Sequence, residues 1–218
     1  MTTSATFSLI EQERYRLADL ADEWSPDQWD TPSLAEGWRV REVLAHLTMP
    51  FAVALPSMVL GLIRNLGSFD RFADRWACDV TPSLPTAEIT ATLRANATTR
   101  FTPPGMGPEA PLTDLVVHGL DVRIPLGLPA TDIDGAARAA TLRFLTTRAG
   151  QRFGVPTDAF TSRRLEATDL DWSHGTGPTE RATSIELLAH LCRSQPLLAR
   201  PPDRDPDMVA RGHHGPRV

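Results

Sequence analysis

The chain has 218 residues, of which 41% are apolar and 22% are charged, so it can bury a core and is neither disordered nor fibrous. All 22 basic residues are arginine, which excludes Schiff-base lysine chemistry and a P-loop. With 27 acidic residues and a net charge of −5, the chain lacks the basic surface of a nucleic-acid-binding protein.

Residues 7–24 are predicted to form an amphipathic helix, because apolar residues recur there at three- and four-residue spacings. Residues 29–38, with two tryptophans, a proline and a glycine, are predicted to be an ordered loop. A second helix should begin near Arg39, with an apolar stripe at Val40, Val43, Leu44, Leu47 and Phe51. Pro50 and Pro56 should kink or break it before a helix resumes over 58–66.

A third helix is predicted over 86–100, a fourth over 110–124 and a fifth over 134–149. Residues 79–85 and 102–108 read as a turn and a loop. Alternation over 160–172 then predicts a strand, followed by a turn at 174–178 and a last helix over 184–192.

The change from helical to alternating pattern predicts three parts. Residues 1–155 form a helical bundle, 156–200 form a small α/β C-terminal domain, and 201–218 form a flexible tail. We therefore expect a mainly α protein. His213 and His214 fall in the tail and are not interpreted as a site.

No secretory signal is visible at the N-terminus, and Cys78 and Cys192 are too few for a disulfide framework. The segment between Glu42 and Arg64 has no charged residue and is long enough to span a bilayer. It contains a histidine and two prolines, however, and its first half has the period of an amphipathic helix. We therefore expect a soluble, cytoplasmic protein with no membrane partner.

The helix over 110–124 carries the most informative polar residues. At 100° per residue, Asp114, His118 and Asp121 share one narrow strip on a helix that is otherwise largely apolar. A buried carboxylate and imidazole must be paired or must bind a metal. The i, i+4 spacing of Asp114 and His118 fits two ligands of one cation, or a hydrogen-bonded pair at the surface.

His46, at the edge of the stripe on the second helix, is the natural third ligand, although taken alone it also fits a half-buried histidine that bonds to a carbonyl. Two histidines and one carboxylate leave an open position, which is typical of a catalytic metal. Glu42 lies four residues before His46, so a di-metal site is an alternative, although the glutamates of such sites are missing. We interpret Glu42 as a surface residue or one that supports a ligand.

Two motifs resemble a known family. Residues 32–47 (PSLAEGWRVREVLAHL) resemble the GW-x-V-x-(D/E)-V-L-x-H-L motif of the mycothiol-dependent maleylpyruvate isomerase family, in the DinB-like superfamily of metal-binding helical bundles. Residues 114–127 (DLVVHGLDVRIPLG) resemble its second motif, in which a carboxylate and a histidine four apart precede G-x-D-x-R-x-P-L-G. Residues 169–172 resemble the start of its C-terminal domain.

The resemblance implies a DinB-like four-helix bundle in which His46, Asp114 and His118 bind a divalent metal, with zinc first and nickel or iron as alternatives. It also implies mycothiol as cosubstrate and an actinobacterial cytoplasm. The sequence departs from the family in having Asp114 where glutamate is common. It also has Cys192-Arg193-Ser194 where the family has G-R-P.

These observations predict a metal- and thiol-dependent isomerase or S-transferase that acts on a small electrophilic substrate. Arg123 could anchor a substrate carboxylate, or pair with Asp121 or another acidic residue. One alternative is a mononuclear iron or zinc enzyme that activates water or oxygen. Another is a metal-stabilised, non-enzymatic bundle that serves as a binding or regulatory module.

Overall fold

The computed structural model describes residues 1–153, 155–156, 158–193 and 197. Its described part contains nine α-helices and three short strands. The helices are α1 (Thr3–Asp22), α2 (Pro26–Trp29), α3 (Val40–Ala52), α4 (Leu55–Arg64), α5 (Phe69–Val80), α6 (Thr86–Ala95), α7 (Glu109–Arg123), α8 (Gly135–Leu145) and α9 (Ser184–Arg193). Short 3₁₀ turns cover Ala130–Asp132 and Gly150–Phe153.

Four of the helices form the bundle. α1 packs against α6 and α7, and α3 packs against the same two helices, so the four close around one core. The core contains the apolar stripes predicted for the first, second and third helices, with Ile10, Leu17, Val43, Leu44, Ile89 and Leu93 all buried. A mainly helical fold with a small C-terminal sheet is therefore confirmed.

The two prolines act at the boundary between α3 and α4. Pro50 lies in the last turn of α3, which ends two residues later at Ala52. Pro56 lies in the first turn of α4. A backbone N–H at that position would have no acceptor within the helix, so its absence costs no hydrogen bond. The predicted break is therefore confirmed, and the helix resumes three residues earlier than expected.

Helix α5 was not predicted. Phe72, Ala73 and Ala77 are buried on one face, and Phe72 and Ala73 join Met49 in a second, smaller apolar cluster. Helix α4 packs on α5 but has no buried residue, so Leu55, Val59 and Ile63 are exposed along its outer face.

The C-terminal unit has strands β1 (Arg164–Ala167), β2 (Ser173–Gly175) and β3 (Thr179–Ala182) in the order β2-β1-β3. β1 pairs with β2 in antiparallel fashion and with β3 in parallel fashion. The strand predicted over 160–172 is therefore shorter than expected. The turn predicted over 174–178 was wrong at its start, because His174 and Gly175 pair with β1.

Helix α9 joins the C-terminal unit to the bundle. It packs against α7, α8 and β1, and Leu187, Leu188 and Leu191 belong to the same apolar cluster as the bundle core. Asp169 accepts hydrogen bonds from the backbone and hydroxyl of Ser184 and pairs with Arg138 of α8 at 2.7 Å. One continuous core therefore runs through both units.

Within the described residues, no helix combines the length and the apolarity needed to cross a membrane. The predicted tail at 201–218, with His213 and His214, lies outside the described residues.

Candidate metal centre

His46 of α3 faces Asp114 and His118 of α7 across the bundle. His46 Nε2 lies 3.6 Å from Asp114 Oδ2, and His118 Nε2 lies 3.5 Å from Asp114 Oδ1. The ligand atoms of the three residues all lie within 4.8 Å of one another. The fold therefore brings together the three residues that the spacing argument selected.

These separations fit ligands of one ion better than direct hydrogen bonds. A hydrogen bond between nitrogen and oxygen is ordinarily about 2.7–3.2 Å long. Ligands about 2.0–2.2 Å from a tetrahedral ion stand about 3.4 Å apart. Two imidazoles and a carboxylate are also donors that suit zinc, iron or nickel. The residues present therefore fit the implied divalent metal.

The sequence of α7 explains why the polar pair is held in place. Twelve of its residues are buried, so the helix is enclosed on almost every side and cannot rotate its polar strip toward bulk solvent. The side chain of Asp114 is nevertheless 33% exposed, whereas those of His46 and His118 are 9% and 11% exposed. The site is thus closed around the imidazoles and open at the carboxylate.

Asp114 is ionised in this setting. Burial favours its neutral form, but the nearby imidazoles of His46 and His118 outweigh burial and lower the pKa of the carboxyl to about 2. The side chain can therefore offer a full negative charge to a cation at neutral pH.

His118 is oriented by a charged pair behind it. Its Nδ1 lies 2.8 Å from Oδ2 of Asp121, whose side chain is fully buried. Arg193 of α9 donates from Nε and Nη2 to the two oxygens of Asp121, at 2.7 and 2.5 Å. Burial opposes ionisation of Asp121, but the bonds from His118 and Arg193 lower its pKa. Since a carboxylate only accepts, Nδ1 carries the proton and Nε2 is free to bind a cation.

His46 has no such support. Its Nδ1 is buried without a hydrogen-bond partner in the described residues. Trp38 packs on it instead, with ring centroids 5.2 Å apart, and also stacks on His118 at 5.9 Å. The indole Nε1 donates to Asp74 of α5 at 2.8 Å, which fixes the ring over the two imidazoles.

Glu42 caps the N-terminal end of α3. Its Oε2 accepts the backbone N–H of Arg39 at 2.9 Å, and its Oε1 accepts from the Arg39 guanidinium and the Thr81 hydroxyl. Burial opposes its ionisation, but these bonds lower its pKa. The three-residue cluster found in the described part of the chain does not include it.

The structure does not bring Arg123 to the candidate ligands. Nine residues separate it from Asp114, so it lies on the opposite face of α7. It is only 1% exposed, and Nη1 donates to the Gly119 carbonyl at 3.3 Å. The pairing with Asp121 considered from the sequence was also wrong, because Arg193 takes that place.

Trp38 and Arg193 were missed as parts of the site. Trp38 lies inside the first motif, so its place eight residues before His46 was a usable signal. Arg193 stands where the resembled family has the arginine of G-R-P, but spacing alone does not pair it with Asp121, which lies 72 residues away.

The fold and the site first define a class: a mainly helical bundle with a His–Asp–His cluster between two of its helices. Residues 10–111 match the model of the mycothiol maleylpyruvate isomerase N-terminal domain. The match confirms the predicted family. It includes His46 and stops before Asp114 and His118. No curated protein and no solved structure matches the chain.

Proposed function

We propose that the protein is a metal-dependent isomerase or S-transferase that uses a low-molecular-weight thiol, mycothiol, on a small electrophilic and carboxylated substrate. His46, Asp114 and His118 would hold one divalent ion, with zinc first. The observation that carries the proposal is the convergence of two imidazole Nε2 atoms on one carboxylate that is open to solvent. We expect this chemistry in the cytoplasm, the compartment implied by the resemblance.

A bound divalent ion would supply Lewis acidity and keep the sulfur of a coordinating thiol as thiolate. The chain's own residues prepare the site for this chemistry. Asp121 and Arg193 orient His118, Trp38 covers the imidazoles and keeps water from that side, and the exposed edge of Asp114 leaves an approach for small molecules.

The cysteines of the chain are poor nucleophiles, which supports an external thiol. Burial raises the pKa of the Cys192 thiol to about 12. Burial and the nearby Asp74, Glu42 and Asp79 charges raise the pKa of the Cys78 thiol as well. Neither is a thiolate at neutral pH. Addition of an external thiolate would make a substrate double bond rotatable and elimination would restore it, whereas a transferase would release the adduct.

The test is metal analysis followed by thiol titration. The protein is purified, reconstituted with zinc or cobalt, and analysed for metal content. The cobalt form is then titrated with mycothiol, and the sulfur-to-cobalt charge-transfer absorption is recorded. We expect about one ion per chain and an absorption band that saturates with thiol. Cys78→Ser removes the exposed protein thiol and should leave the band unchanged.

Other outcomes would contradict parts of the proposal. Failure to bind any metal would rule out the proposed metal site. A ratio near two would favour the di-metal alternative with Glu42, and Glu42→Gln would then return the ratio to one. One bound ion per chain, with no change in the cobalt absorption on addition of thiol, would favour a water- or oxygen-activating enzyme or a non-enzymatic bundle.

A further inference from the structure

Arg14 of α1 is a buried cation held on one side by backbone carbonyls. It is 4% exposed, and its Nη1 donates to the carbonyl oxygens of Asn96, Ala97 and Thr99 at 3.0, 3.2 and 2.8 Å. These carbonyls follow the end of α6. The guanidinium carbon also lies 4.9 Å above the ring of Phe51, in the last turn of α3. The group is therefore fixed in position.

The remaining donors of Arg14 are unused. Within the described residues no carboxylate lies within ion-pair distance of it. Its Nε and Nη2 make no hydrogen bond there, and they are not among the polar atoms sealed from solvent. A buried guanidinium with open donors is suited to bind an anion, since its planar fork matches a carboxylate.

Among the described residues, Arg14 and Arg193 interact electrostatically with Asp114, and of these two only Arg14 has donors left to bind an anion. Arg193 is committed, because Nε and Nη2 bind Asp121 and Nη1 donates to the Cys192 carbonyl. Arg14 also interacts electrostatically with Asp114, and its Nε and Nη2 make no hydrogen bond among the described residues. Arg123, the arginine first considered from the sequence, lies on the far face of α7.

The charge balance favours an anion beside the candidate centre. The two negative charges of Asp114 and Asp121 balance the two positive charges of Arg14 and Arg193. A divalent ion would therefore leave two positive charges uncompensated in a partly desolvated site. A thiolate and one carboxylate together would neutralise them.

We propose that Arg14 binds the carboxylate of the substrate through Nε and Nη2, and so selects anionic electrophiles over neutral ones. This inference rests on the proposed function. Although burial lowers the pKa of Arg14, to about 10, the group stays charged at neutral pH.

The test measures binding of acetate and of its neutral isostere acetamide at constant ionic strength. Calorimetric titrations use the zinc-loaded and the metal-free protein. We expect acetate to bind at least about tenfold more tightly than acetamide, and Arg14→Gln to remove that preference. Arg100→Gln is the matched control, because Arg100 also lies over a phenylalanine, Phe7, but is exposed. It should keep the preference.

Equal affinity of Arg14→Gln and wild type for acetate, in both metal states, would overturn the proposal. So would equal binding of acetate and acetamide by the wild type. If Arg14→Gln fails to fold by circular dichroism, Arg14→Lys replaces it and should bind acetate more weakly than wild type. Metal content is measured separately, so loss of the metal site is distinguished from loss of the anion site, and the metal-free titrations still test Arg14.

Discussion

Asp121 accepts the Nδ1–H of His118 at 2.8 Å, one turn further along α7, and this bond leaves Nε2 as the ring atom that faces Asp114. His46 has no equivalent partner, since its Nδ1 is buried without a hydrogen bond to any described residue. The two imidazoles are thus unequal: one is aligned by a charged pair, and the other by packing against Trp38.

Asp121→Asn should weaken zinc binding. The amide keeps the shape but loses the charge that aligns and polarises His118, and such supporting groups typically change metal affinity about 10- to 100-fold. Affinity is measured by competition with a chromophoric chelator. Asp19→Asn, which alters an exposed pair with Arg94, serves as the control. Unchanged zinc affinity in Asp121→Asn would show that the contact does not serve a metal.

Asp114 is the candidate ligand at which this sequence departs from the motif that it resembles. Asp114→Ala and Asp114→Asn should both lose bound metal, because each removes the charge that offsets the cation, while Asp114→Glu should retain it. Elemental analysis and thermal melting with and without zinc test all three variants. Full metal content in Asp114→Ala would rule out Asp114 as a ligand.

Asp169 should make the free energy of unfolding depend on pH in the acid range. Burial acts to raise the pKa of Asp169, but its bonds to Ser184 and Arg138 lower it below the unfolded value of about 3.9. Its stabilisation is therefore present above about pH 4 and is lost as the pH falls through the folded pKa. The free energies of unfolding of wild type and Asp169→Asn, measured in urea, should differ most near neutral pH and converge as the pH is lowered. A difference in unfolding free energy that does not change with pH would contradict this prediction.

The bundle fragment 1–155 should fold less stably than the full chain. Truncation removes α9, whose Leu187, Leu188 and Leu191 are buried in the common core, and exposes the surface of α7 and α8 beneath them. Burial of three leucines contributes on the order of 5 kcal/mol. Denaturant unfolding of both proteins measures the difference. Equal stability would instead support an independent bundle with the boundary at residue 155.

The helical part of the fold was predictable because its apolar stripes have the period of a helix. Those of α1, α3 and α6 are buried as expected. Helix α5 had a usable pattern in Phe72, Ala73, Trp76 and Ala77, which recur at helical spacing. The pairing of β2 with β1 was harder to predict, because a three-residue strand such as Ser173–Gly175 has too few side chains to establish a period.

The candidate site was predictable where its residues share a helix or lie in a recognisable motif. Asp114 and His118 are set four apart by α7, and His46 follows from its motif. Arg14 and Arg193 belong to elements distant in sequence, so their positions depend on tertiary packing that no spacing encodes. Arg123 illustrates the opposite error, because a residue close in sequence lies on the wrong face of the helix.

The dependence of Asp121 on Arg193 has a consequence for the order of events during synthesis. His46, Asp114 and His118 are all translated well before Arg193, which lies 72 residues beyond Asp121. Because N-terminal segments fold while later ones are still being made, the nascent bundle holds Asp121 without its counter-ion for an interval. An ion captured in that interval would meet a His118 whose partner Asp121 still lacks Arg193, so we expect α9 to complete the alignment of the candidate centre.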